Sequence, residues 1–576
     1  MFVRFLLFIL VTPCLISSQT TPELPFWNNA GYTSTDLPTK TIAIADLMSG
    51  TELTADFINL VIQEYAPLDS QLVIQLPPGS YTLETPIVLT SNVSLVGYDT
   101  EFLFNLGGAA LDGIQIHGAI LPTAYEVLSS VEKGNQVLII PNHNLLEGDL
   151  IYLSDNDNDL VYSSWAEGKT GQLVTVNAIN QDSVFLNDII RRDYELSSTI
   201  IQQVNPIKNV HISTLKLKRV DSTAAQTNNI SLRYAQNCLL SCLDSRLCNF
   251  AHVRMEFCKN VSVRDSYFTE GHDYGGGGKA YGVVFQFASS DCLAENNIFE
   301  HLRHSVLLQA GPNGNVISYN HSTDPFWTDV MLPANTAGEY VLHGNFPYAN
   351  LFEGNYGRNM VADSSHGYNG PDNTFFRNQI DEGFFFSLGN TPNLNIINNV
   401  FTGSAAYFNL STTSYAQGNW QDGAILPEGT NPMEESSLYR TDAPPYFTSI
   451  NFPSIDPANT SAISGNPASQ RFYTGVYTYC AILSDIHNPN NSALDITTYP
   501  NPIMDQLNIQ INLESPKHIN ISLIDLSGKK INTLLNQEIH SGPFILEQDL
   551  SYLKPGLYLL SIQTNHEKHS FKLIKN

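Results

Sequence analysis

Positive charge is scarce in this sequence. Its 576 residues carry 28 lysines and arginines against 55 aspartates and glutamates, a net charge of −27. A nucleic-acid binder needs a broad basic footprint, so no nucleic-acid partner is expected, and long-range capture of a polyanion is disfavoured. Charge of either sign is sparse at 14%, whereas 42% of residues are hydrophobic. That balance packs a globular core and excludes a disordered chain. Long apolar runs are missing after the first segment, so no transmembrane span is expected there. No two cysteines form a CxxC pair and no histidine cluster flanks them, which argues against a zinc site. The GxxxxGK[ST] order of a phosphate loop is absent, and no paired-aspartate motif stands out.

What is present begins with an address. Residues 1–19, MFVRFLLFILVTPCLISSQ, place one arginine before a short apolar run and then small polar residues. This layout predicts a secretory signal peptide rather than a membrane span; a buried first strand is the alternative. Of seven cysteines, Cys14 leaves with that segment and six remain. Export permits disulfides. Cys238 and Cys292 fall on apolar positions of a repeat and read as small buried hydrophobes.

The repeat is a short phrase: Asn or Asp, an apolar or small residue, a few mixed residues, then Asn. It starts at 209, 237, 260, 291, 315, 350, 373 and 393. The shorter spacings suit one coil of a parallel β-solenoid, and the longer ones suit a coil with a loop inserted. Sixth positions hold Asp265, Asn296, Asn320, Asn355, Asn378 and Asn398. Asparagine tolerates the left-handed backbone of a tight corner, and its amide can bond to the coil above. Second positions hold Val210, Cys238, Val261, Cys292, Val316, Leu351, Thr374 and Leu394, which reads as one inward column.

These phrases, with the opening LPPGSYTLETPIVLTSNVSLVG at 76–97, resemble the right-handed parallel β-helix of the pectate-lyase-like superfamily over about residues 40–430. The resemblance implies an all-β solenoid over 20–430. Its relatives include lyases, hydrolases, epimerases and non-catalytic stalks. The alternating strands of 120–205 interrupt the pattern as a small β insertion. The Pro-, Ser- and Tyr-rich stretch 431–498 is expected to cap the solenoid end and become a linker.

Residues 499–576 alternate in strands with turns at Ser527-Gly528 and Pro555-Gly556, which predicts a small C-terminal β-sandwich. Tyr499-Pro500-Asn501-Pro502, Asp525 with Gly528-Lys529, Gly556-Leu557-Tyr558 and Lys572-Leu573-Ile574-Lys575 resemble the C-terminal sorting domain of the type IX secretion system. That resemblance implies a Bacteroidetes-type bacterium, partnership with the secretion machinery, and a secreted or surface-attached product. A carbohydrate-binding sandwich is the alternative.

Candidate chemistry gathers in two coils, HGNFPYANLFEGN (343–355) and HGYNGPDNTFFRN (366–378). His343 and His366 lie equally far before their anchors, each followed by glycine. Equal register puts the two imidazoles one strand spacing apart, about 4.8 Å, and glycine leaves room for a ligand. A stacked structural pair is the alternative. Asp363 can orient His366. Glu300, Arg303 and His304 precede a strand, and a glycine-rich loop carries His272, Asp273, Tyr274, Lys279 and Tyr281. Residues 209–264 hold eight lysines and arginines against Asp221, Asp244 and Glu256, enough for a local basic face if they share one side.

Elimination from a uronic acid needs a base beside the carboxylate and a cation, Ca²⁺ or arginine, to neutralise developing charge. His343, His366, His304, Arg303 and Lys279 supply catalytic candidates. His272, Tyr274, Tyr281 and Asp363 supply substrate contacts, and Asp273 and Glu300 supply oxygen ligands for Ca²⁺. With the implied fold, the expectation is an exported protein acting on polysaccharide by lyase-type elimination of an acidic glycan. A glycan-binding or adhesive β-helix and a glycoside hydrolase remain the alternatives. The motif pairs of better-known pectate lyases and uronan epimerases are not visible.

Overall fold

The computed structural model describes residues 24–480 and 494–575, apart from 36, 49, 51, 67–68, 276, 327–337, 364, 389–390, 404, 410, 412, 460–464, 500–502, 514–515, 525–529, 555 and 565–567. The predicted signal peptide, the turn at Ser527-Gly528, and the tail residues Pro500, Asn501, Pro502, Asp525 and Lys529 lie outside the described residues. Two compact units divide at residue 480.

The first unit is a right-handed parallel β-helix. Strands recur coil by coil in parallel register, for example Leu239–Ser241, Ser262–Arg264, Leu293–Glu295, Val316–Ser318, Leu351–Glu353 and Thr374–Phe376. The asparagine phrase works as two neighbouring columns. Corners with positive φ fall at Asp265, Asn296, Tyr319, Gly354, Arg377 and Asn398. Beside them runs a buried amide ladder in which Asn297, Asn320, Asn355, Asn378 and Asn399 each donate Nδ2 to the next Oδ1 at 2.9–3.0 Å, ending on Asn419. Each rung also accepts from the backbone N–H of the rung before it, as Asn355 does from Asn320 at 3.1 Å.

The expected inward column needs a correction. Val210, Cys238, Val261, Cys292 and Leu394 do face the solenoid core, but Val316 and Leu351 belong to a separate cluster on the flank. In those coils the phrase starts one residue later, and Asn315, Asn350 and Asn373 occupy the inward place as a second amide ladder. A one-residue slip in a strand exchanges its faces.

Two further elements finish the solenoid. Helix α1, Ala55–Tyr65, is capped by the Thr54 side chain and buries Ile58, Val61 and Ile62 over the first coils. At the far end Asn419–Gln421 turns back antiparallel to Ala424–Leu426. Residues 431–459 and 465–480 start against the last coil at Gln417 and run back along the flank, and residues 481–493 of the expected linker lie outside the described residues. Tyr439 donates to Glu295 at 2.7 Å, helix α2 (Pro467–Tyr473) carries Ala468 onto Tyr267 and Ile298, and Cys480 bonds to Cys242. Cys238, Cys248, Cys258 and Cys292 are free and buried.

The insertion forms a six-stranded sheet in the order 119–126, 200–205, 150–154, 172–180, 183–186, 137–139, with its own core around Leu138, Ile151, Val174 and Ile201. It is fastened to the coils by ions. Lys259 Nζ lies 2.8 Å from Asp188 and 2.6 Å from Asp291, and Arg191 pairs with Asp291. The second unit comprises a three-stranded and a four-stranded antiparallel sheet around Leu507, Ile509, Ile521, Leu523, Leu560 and Ile562.

Candidate functional site

Strands 228–233, 251–256, 281–286, 304–309 and 340–342 lie side by side and form the floor of a cleft. Arg233, Glu256, Gln286 and Gln309 follow one another in register at their ends. His343 and Asp363 extend this row beyond the paired Leu342 and Ala362. The cleft measures about 470 Å³, and His343, His366, Arg303, Arg254, Tyr281 and Trp165 are among the residues that line it.

His343 and His366 do come together, with ring centroids 4.8 Å apart and planes at 78°. The route differs from simple equal register. Leu342 pairs with Ala362, twenty residues on, while Leu351 pairs with Thr374, twenty-three on. The three extra residues fall after Ala362, so His343 meets Asp363 just beyond the strand end and His366 in the turn. Asp363 consequently holds His343, not His366: its Oδ2 lies 2.6 Å from His343 Nδ1. It is itself fixed by Ser365 N–H at 3.0 Å and is 2% exposed, so it is a positioning group rather than a substrate contact. Gly344 also differs from expectation. Its φ is +75°, and a Cβ there would stand 2.6 Å from the His366 carbonyl, so it permits coil stacking rather than ligand approach.

His304 sits behind this pair, 1% exposed, with its ring 4.8 Å from Tyr281 and 5.6 Å from His343. Its Nδ1 bonds to the Gly338 carbonyl at 2.7 Å, and Nε2 has no hydrogen-bond partner among the described residues. Burial, then Arg303 and His343, hold its pKa well below the ordinary value. Burial and then the nearby His343 also lower that of His366. Burial raises that of Tyr281, which stays protonated. Two guanidiniums bracket the floor: Arg254 over the Phe250 ring at 5.3 Å and Arg303 over Tyr281 at 6.0 Å.

The other expected residues stand elsewhere. Lys279 and Asp273 pair with each other in the glycine-rich loop, and neither is among the residues that line the cleft. His272 bonds to the Arg219 carbonyl at 3.0 Å, and Tyr274 stacks on Phe326 at 4.1 Å. Glu300 accepts from Tyr267 in a separate recess shared with Arg246, Glu270, His301 and Asp324. Asp273 is not among the residues of that recess, and no group of three or more His, Cys, Asp or Glu side chains that could hold a metal gathers among the described residues. The basic run is no open face either. Arg219, Arg246, Arg254 and Lys259 are tied to Asp221, Asp244, Glu256, and Asp188 with Asp291.

Sequence reasoning missed Trp165, Gln286 and Gln309, and it named Arg254 only as one of the basic residues of 209–264. A signal existed for the glutamines: YGVVFQ and HSVLLQ are aligned strands, with Gln286 opposite Gln309. None existed for Trp165, which the insertion delivers from outside the repeat.

Residues 497–576 match the family described as a secretion system C-terminal sorting domain. No curated protein matches the chain. The chain is similar in structure to the tailspike protein gp49 from Pseudomonas phage LKA1, at 15% identity and TM-score 0.45, covering 61% of this chain and 56% of that one. It thus spans little more than half the length of that tailspike. It is also similar to an exopolygalacturonase from Thermotoga maritima, at 8% identity and TM-score 0.33, covering 69% and 95%. A third similarity is to PfbA, a surface adhesin of Streptococcus pneumoniae, at 12% identity and TM-score 0.32, covering 66% and 95%. The sorting domain marks the protein for export, to the medium or the cell surface. The chain is a right-handed parallel β-helix that carries the C-terminal sorting domain of the type IX secretion system.

Proposed function

We propose that the exported β-helix cleaves an acidic polysaccharide by β-elimination in this cleft. The observation that carries the proposal is an imidazole, His343, held by a buried carboxylate and set among arginines, with no Asp or Glu among the described lining residues. Asp363 fixes Nδ1 and leaves Nε2 as the base. Nε2 takes the proton beside the uronate carboxylate. That electron pair forms the new C=C bond as the C–O bond to the next sugar breaks. Arg303, which has no carboxylate partner among the described residues, neutralises the charge that builds on the carboxylate. Tyr281, kept protonated by burial, donates to the leaving oxygen. Hydrolysis instead needs two carboxylates about 5–10 Å apart across the bond.

The test incubates the full chain with pectate, alginate, hyaluronan and chondroitin and follows the ultraviolet absorbance of unsaturated uronate together with reducing ends. A rise in both that His343→Ala abolishes is the expected result. New reducing ends without absorbance overturn elimination in favour of hydrolysis and direct attention to the recess with Glu270 and Glu300. No product from any substrate overturns it in favour of a glycan-binding or adhesive β-helix.

A further inference from the structure

One wall of the cleft does not belong to the solenoid. The insertion reaches over the strand ends and places Trp165 there, 42% exposed, whereas Trp27 is fully buried. The indole stands 6.1 Å from the His366 ring and 6.0 Å from Phe287. Its backbone is fastened from both sides. Asn345 Oδ1 accepts from the N–H groups of Tyr162 at 2.8 Å and Ser163 at 3.0 Å. Ser163 Oγ lies 3.4 Å from His366 Nδ1, across 203 residues of sequence. On the other side the Asp157 carboxylate accepts from Gly168, Lys169 and Thr170. An exposed indole would ordinarily be buried or left mobile; this one is exposed and held.

We propose that Trp165 is the platform on which a pyranose ring of the glycan stacks beside His343 and His366, so that the insertion determines where the sugar chain is gripped. A sugar ring shows one face of C–H groups, and an indole offers a large, rigid apolar face that loses little conformational freedom on binding. Among the described residues, Trp165, Phe250, Tyr281 and Phe287 line the cleft beside the histidines, but Phe250 and Tyr281 already lie under Arg254 and Arg303. Phe287 packs against Phe257 at 5.7 Å and lies beneath the Lys169 ammonium. Of these four, Trp165 is the most exposed. The platform rests on the function proposed above and names a residue that fixes substrate position.

The test uses the full chain with His343→Ala, so that ligand survives, and titrates oligosaccharides of galacturonate, guluronate and hyaluronan and of neutral xylan and mannan while following tryptophan fluorescence and heat. The expected result is binding of an acidic oligosaccharide that Trp165→Ala weakens at least about tenfold and Trp165→Phe largely restores, with the melting temperature unchanged. Equal binding with and without the indole overturns the platform while leaving acidic-glycan elimination intact. Binding of only a neutral glycan, lost in Trp165→Ala, keeps the platform and removes the acidic substrate.

Discussion

At the residue scale the chemistry depends on which group Asp363 touches. Its spacing before His366 suggested that ring; the three-residue shift in coil register gives it to His343 instead. Asp363→Asn should therefore lower kcat about 10–100-fold, as loss of an orienting carboxylate does, with KM little changed. A general loosening of the site would instead raise KM and lower the melting temperature, so steady-state kinetics paired with calorimetry separates the two. The histidine pair was legible because each ring stands at one distance from an asparagine anchor and each is followed by glycine. Lys279 and Asp273, six residues apart in one loop, pair with each other away from the cleft lining. No residue pattern could announce that partnership, since it depends on how the loop folds.

At the level of elements, the solenoid was legible from recurrence and its register was not. A phrase that shifts by one residue looks the same in sequence but turns Val316 and Leu351 to the flank. Helix α1 escaped notice because its apolar positions occur only once, outside any repeat. The amide ladder predicts a particular sensitivity. Asn355 accepts from the Asn320 backbone and side chain and donates to the Ile317 carbonyl at 2.8 Å and Asn378 at 2.9 Å. Asn355→Leu should cost about 1–3 kcal/mol for each buried group it strands, read as a lower urea midpoint. The flank strap makes a second prediction. Cys242 and Cys480 close a loop with a sequence separation of 238, which places the bond at the upper end of disulfide stabilisation, about 4–5 kcal/mol. Cys480→Ser should lower the midpoint and open residues 431–480 to proteolysis while the free, buried cysteines stay unreactive to thiol reagents in the native protein.

The two compact units each hold a main core of their own, one inside the β-helix and one in the sorting unit, so calorimetry should resolve two transitions and acid should act on them separately. The first unit buries histidines that are neutral when folded. Burial lowers His252 and His321 to about 3, and His211 to about 4. An unfolded chain protonates near 6.5, so it binds more protons than the folded one below that pH. The stability these groups contribute is complete above 6.5 and is lost as pH falls towards their folded values. Each costs about 1.4 kcal/mol per pH unit in that window. Asp265, raised by burial to about 6, acts in the opposite sense between its folded and ordinary values and offsets about one histidine. His321 isolates the effect. Both ring nitrogens lack a hydrogen-bond partner among the described residues, and the ring stacks on Tyr356 at 5.1 Å with Phe472 at the same distance. A phenyl ring fits that place without a site to protonate. His321→Phe should therefore leave the first transition equal or higher at pH 7. At pH 5 it should raise that transition relative to the native chain by about 2 kcal/mol, and leave the second unchanged at both pH values. An identical acid slope in the two proteins would show that His321 is already charged in the fold.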